Sequence, residues 1–285
     1  MARLALALAV ALAACAHRPP GPPEARTRDV AVGGARFRLR WHAEDDAFAR
    51  RLQGMLERAV PRVERWGGLA QPVTITIHPS HEALVVAARS PDYGWLHAWA
   101  QYDSVELQSP RTWEGRVRER QVEELVTHEL THCAIYQRSG DGATWPFKEI
   151  PRWFGEGLAT YTAGQGYRFA TVEELWRFYE RTPPAPGAPA GGAAPRSGAP
   201  AAFRGDPIVD PDAISHDQSD LVYGAAYHAT EFLIARYGEA RVDAVLANMG
   251  RGMRFPAAFR EAVGISDAEF AADFRRYVIW QGWRR

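Results

Sequence analysis

The segment Val126-Thr127-His128-Glu129-Leu130-Thr131-His132 gathers the side chains of this sequence best suited to chemistry. Two histidines four positions apart on a helix stack on one face, near enough for both imidazoles to reach one tetrahedral zinc ion. Glu129, next to the first histidine, projects toward water at that ion and can take its proton. The pattern is short, and a solvated polar helix face is the plain alternative. Leu125, Val126, Leu130 and Ile135 argue against it, because uncompensated polar groups among such neighbours are costly. A third ligand decides the matter. Downstream, Pro151-Arg152-Trp153-Phe154-Gly155-Glu156-Gly157-Leu158-Ala159 begins a second helix. The interval from His132 to Glu156 lets one helix end, the chain turn back and a carboxylate complete a His2Glu set with its fourth position open. Cys133 follows a ligand directly, but adjacent helical residues point about 100° apart, so it reads as a buried small residue.

Hydrophobic periodicity predicts the elements that must position these groups. Val30 to Trp41 alternates loosely around a Gly-Gly turn, as a hairpin or bent strand would. Asp45 to Trp66 has helical spacing, with Pro61 expected to kink or end it. Pro72 to His78 and Ser104 to Gln108 alternate as strands, with a short helix from His81 to Arg89 between them. Residues 30–110 therefore read as an αβ sheet subdomain. A long helix is expected from Glu114 to Gln137, and residues 111–285 read as a mainly helical, zinc-binding subdomain. Its further helices are Pro151 to Tyr161, Thr171 to Arg181, Asp220 to Tyr237, Glu239 to Met249 and Ser266 to Gln281. The Pro/Ala/Gly-rich stretch 183–207 has almost nothing to bury and reads as a mobile surface loop.

HELTH followed by PRWFGEGLA resembles the gluzincin zinc metallopeptidases, especially aminopeptidase N relatives whose second helix carries W-x-x-E-G-x-A. The resemblance implies His128, His132 and Glu156 as ligands of one Zn2+ per chain and Glu129 as general base. It implies an α+β fold, a thermolysin/aminopeptidase-N-like zincin domain with a small N-terminal sheet layer, a mainly helical C-terminal part and zinc between them. It also implies an edge strand that pairs with extended substrate, a place that Ser104 to Gln108 occupies. Val222-Tyr223-Gly224-Ala225-Ala226-Tyr227 is similar to the family segment V-Y-x-K-G, whose tyrosine hydrogen-bonds the oxyanion, and this nominates Tyr223. A core tyrosine on an amphipathic helix is the alternative, and His228 is left as structural. Two departures stand out. No G-x-M-E-N stretch precedes the zinc helix, so a free amino terminus has no evident holder, and Thr160 stands where thermolysin-like members carry an Asp that orients a zinc histidine.

Lys+Arg and Asp+Glu both number 34, so no whole-chain field favours nucleic acid, although local patches are possible. Arg3 precedes an apolar run from Leu4 to Ala14 that ends in Leu12-Ala13-Ala14-Cys15, followed by a polar, Pro-rich segment. The run is shorter than the ~20 residues a bilayer span needs and reads as an export signal. Its end resembles the bacterial lipobox. That implies a lipoprotein signal peptide over 1–14, a lipid anchor on Cys15, a flexible tether over 15–29, and residence in the cell envelope at the periplasmic face of the outer membrane. Cys133 is then the only cysteine left in the mature domain, which therefore has no internal disulfide. The expected function is a zinc-dependent endopeptidase acting on peptide or protein. The alternative is a catalytically silent, lipid-anchored zinc-binding scaffold, against which the retained Glu129 argues.

Overall fold

The computed structural model describes residues 25–89, 96–181, 204–214 and 216–283. The expected signal peptide 1–14, Cys15, most of the tether and most of the 183–207 loop lie outside the described residues.

The described chain opens with β1 (Arg26–Val32) and β2 (Ala35–Trp41), an antiparallel hairpin turned at Gly33, whose φ of +56° lies where glycine is favoured. β1 begins inside the expected tether. Its polar start hid it, yet Arg26 binds Asp46 and Arg28 donates to the Ala49 carbonyl, which ties the strand to the following helix. That helix, α1 (Asp46–Val63), buries Phe48, Leu52, Met55, Leu56, Val60 and Val63. Pro61 sits in its last turn and the helix runs past it to Val63. Then come β3 (Val73–His78), α2 (His81–Ala88), β4 (Ala98–Ala100) and β5 (Ser104–Gln108). The five strands form one mixed sheet in the order β1-β2-β3-β5-β4, with β2, β3 and β5 parallel and the two outer strands antiparallel to their neighbours.

This order corrects one expectation. Ser104–Gln108 lies between β3 and β4, and the edge strand is Ala98–Ala100. A segment of two alanines and a tryptophan is too short to show alternation, whereas Val105 and Leu107 of β5 are both buried and made that strand legible.

α3 (Glu119–Ser139) starts five residues later than expected. Gly115, with φ of +75°, bends the preceding chain, and the Gln121 side chain accepts the Arg118 N–H to cap the helix. α4 (Arg152–Ala163), α5 (Val172–Arg181), α6 (Ser219–Tyr237), α7 (Glu239–Gly250), α8 (Phe255–Val263) and α9 (Asp267–Trp283) complete an α+β architecture with a small sheet and a mostly helical remainder. α8 was not anticipated: Pro256 reads as a breaker, but in the first turn of a helix its missing N–H costs nothing. No helix of the described residues is long and apolar enough to cross a membrane.

Two large apolar cores result, beside a small cluster of Leu84, Ala88 and Leu96. The sheet, α1 and one side of α3 (Val122, Val126, Leu130) enclose the first, and Ile135 of α3 joins α4 to α9 around the second. α3 is thus shared by both layers. The 204–207 end of the expected mobile loop is anchored, since Asp206 is fully buried and pairs with Arg275 at 2.6 Å.

α4 lies hard against α6. A Cβ on Gly157 would come within 2.3 Å of the Ala226 carbonyl oxygen, which explains physically why glycine follows Glu156. Gly157→Ala is expected to cost about 1–3 kcal/mol of stability by overpacking, seen as a lowered melting temperature with reduced metal content, since the helix bearing Glu156 must shift.

Candidate metal centre

His128, Glu129 and His132 are buried on α3, and Glu156 enters from α4 half-buried. Two more polar side chains of the helix, Thr127 and Thr131, are fully buried, and their hydroxyls donate to the carbonyls of Glu123 and Thr127 one turn back. The helix thereby carries a polar stripe through apolar surroundings without stranding those groups.

His128 Nε2 lies 3.2 Å from His132 Nε2 and 3.2 Å from Glu156 Oε2, and His132 Nε2 lies 3.5 Å from the same oxygen. A tetrahedral ion with bonds of about 2.0–2.1 Å holds its ligand atoms about 3.3–3.4 Å apart. The three atoms therefore fit the face of such a coordination sphere, and two ring nitrogens facing each other beside a carboxylate oxygen form a donor set suited to a cation. Among the described residues this is the one group of three such side chains that could hold a metal ion. Burial pushes Glu156 up, but the charges and hydrogen bonds of His132 and His128 outweigh it and hold its carboxyl well below the usual range.

The partner orienting the first histidine is Gln165, which the sequence reading did not find. Its Oε1 accepts from His128 Nδ1 at 2.9 Å, which leaves the Nε2 lone pair facing the centre. Gly164, in the left-handed region at φ +71°, ends α4 and folds the chain back so that the Gln165 N–H reaches the Thr160 carbonyl. Thr160 itself is buried, and its hydroxyl has no hydrogen-bond partner among the described residues. The available signal was the glycine that closes the ligand-bearing helix, with an amide residue directly after it. Gln165→Leu is expected to weaken metal binding by roughly 10–100-fold, measured by competition with a chromophoric chelator.

Glu129 is not part of the converging set. Burial raises its carboxyl to about 7; His128 pulls the other way, Glu156 adds to the rise, and the Ala100 backbone N–H, hydrogen-bonded to it, lowers it. A carboxyl poised near neutrality is matched to proton transfer at physiological pH.

These groups open into a cleft of about 590 Å³. Edge strand β4 forms one wall and Tyr223 of α6 another. The Tyr223 ring lies 6.4 Å from the His128 ring, stacks on Phe169 at 5.0 Å and is hydrogen-bonded by Arg152, whose guanidinium also pairs with Asp212 at 3.2 Å. Burial pushes the Tyr223 hydroxyl pKa upward, so it is a proton-bearing donor at neutral pH. Tyr136 extends the wall, stacked between His132 and Trp145. The structure thus gathers all five nominated residues around one cleft, and adds Arg152, Gln165 and β4. His228 pairs with Glu231 and is absent from the residues lining the cleft. Cys133 is buried and free, its thiol directed to the Gln101 carbonyl.

No family model matches the chain, and no curated protein matches it. Several solved structures do. The M1 zinc metallopeptidase from Deinococcus radiodurans is 17% identical with a TM-score of 0.45, over 91% of this chain and 52% of that one. A mutant two-domain M1 zinc metallopeptidase bound to L-tryptophan is 18% identical with a TM-score of 0.47, over 91% and 52%. Legionella pneumophila aminopeptidase A in complex with aspartic acid is 12% identical with a TM-score of 0.49, over 88% and 28%. This chain spans about half or less of the solved chains it is similar to, and the chemistry of its cleft rests on its own residues.

Proposed function

We propose that this chain is a zinc-dependent endopeptidase whose ion is held by His128, His132 and Glu156. The observation that carries the reading is the convergence of two ring nitrogens and one carboxylate oxygen at 3.2–3.5 Å with a buried, separate carboxyl, Glu129, beside them. When bound, zinc supplies Lewis acidity at an open coordination position, acidifying water and polarising a carbonyl. Glu129 takes a proton from the attacking water and passes it to the leaving nitrogen. Tyr223, held by Arg152 and Phe169, donates its hydroxyl proton in a hydrogen bond to the developing oxyanion. The free edge of β4 offers backbone groups to an extended peptide alongside the cleft. No G-x-M-E-N segment is present to hold a free amino terminus, which favours cleavage within a chain. Export and anchoring through an acylated Cys15 place the enzyme at the periplasmic face of the outer membrane.

The test is digestion of a mixed peptide pool by purified protein, with element-specific metal analysis of the same sample. Cleavage is expected to disappear with a chelator and return with added zinc. Bound zinc without any cleavage would instead identify a silent scaffold.

A further inference from the structure

We propose that the open face of the β1–β2 hairpin is a docking surface for anionic lipid headgroups. β2 buries Ala35, Phe37, Leu39 and Trp41 against the core and turns Arg36, Arg38 and Arg40 outward, all exposed. On one strand face these arginine positions recur about every 7 Å along the backbone. Their cross-strand partners on β1 are Ala31, Asp29 and Thr27, and Thr74 and Thr76 flank Arg38 and Arg40 on β3. The acidic residues paired in register on this face are engaged: Asp29 is bound by Arg38 at 2.8 Å and Glu106 by His78 at 2.6 Å. Arg36 and Arg40 have no ion-pair partner among the described residues. A chain with no net charge therefore concentrates unneutralised positive charge on one flat strip.

The occupant follows from charge and from chain length. Residues 16–25 separate Cys15 from β1, and at about 3.3–3.6 Å per residue that stretch reaches at most about 40 Å. A domain of this size has a radius of gyration of roughly 18 Å, so an anchor at Cys15 keeps the hairpin within reach of the lipid surface. This inference rests on the anchoring reading. Docking by this face is compatible with the proposed activity, because β1 and β2 stand at the sheet edge opposite β4 and the cleft.

The experiment uses the zinc-loaded, unacylated form beginning at Ala16, which retains every described element. Its sedimentation with vesicles of phosphatidylcholine alone is compared with that on phosphatidylglycerol-rich vesicles, at low and at physiological salt. Binding is expected on the anionic vesicles only and weaker at the higher salt, where charges are screened over ~8 Å. Arg36→Ser/Arg40→Ser is expected to bind roughly thirtyfold more weakly, with unchanged melting temperature, zinc content and peptide cleavage. No binding to anionic vesicles, equal binding to neutral ones, or equal binding by the variant would overturn the proposal. So would binding to duplex DNA without binding to vesicles. Acylation is scored separately, by palmitate incorporation in cells with Cys15→Ala as control. A protein that is not acylated yet binds anionic vesicles loses the anchor and keeps the docking face.

Discussion

Glu129→Gln is expected to lower kcat for peptide cleavage by about 10²–10⁴-fold while zinc content stays at the wild-type level. The two outcomes separate because the side chain has no place in the converging set. The histidine nitrogens and the Glu156 oxygen are 3.2–3.5 Å apart without it, and its own contact is the backbone N–H of Ala100. Glutamine keeps the shape and can still accept that N–H, but it cannot take a proton from water. Removing a carboxyl that burial already disfavours as an anion should leave the melting temperature unchanged or slightly raised. KM should move little, since the contacts proposed for substrate are the β4 edge and the cleft walls. The measurement is steady-state kinetics paired with metal analysis of one preparation. Cleavage at the wild-type rate would take Glu129 out of the mechanism.

Glu156→Ala is expected to fail differently, losing both metal and activity. The carboxylate is the only acidic side chain in the set, and without it two imidazoles on one helix face each other with nothing to complete the third corner. Zinc at about a hundred times its Kd is expected to stabilise the wild type by about 2.7 kcal/mol, so its melting temperature should rise on adding the ion. For a chain of this length that is roughly 5–11 °C. The variant should show little or no such rise, and excess zinc should not restore cleavage. A Glu156→Ala protein that still binds zinc tightly and cleaves peptides would place the active centre elsewhere. Glu129→Gln and Glu156→Ala together form a diagnostic pair, the first expected to keep zinc and the second to lose it.

The candidate site was largely legible because its signal is local. The i, i+4 spacing of His128 and His132 on one helix is a property of the helical repeat alone. The glutamate that opens the second helix needed only enough intervening chain for a return. Most helices and three of the strands announced themselves through periodicity. The failures have local causes too. β1 begins with Arg26-Thr27-Arg28-Asp29, which carries no apolar alternation because this outer strand is covered on one face only. α8 starts with a proline that is harmless only once its first-turn position is known.

What this sequence determined by itself is the candidate donor set, the carboxyl beside it, and the α+β order of elements, since each follows from side-chain type and short-range spacing. Tertiary structure alone decided that Ala98–Ala100 is the sheet edge facing the cleft, that Gln165 orients His128, and that Arg152 holds Tyr223 at its wall. Those three depend on which strands pair and on how closely α3, α4 and α6 pack. Such contacts join residues far apart in the chain, and they exist only when the apolar faces have packed.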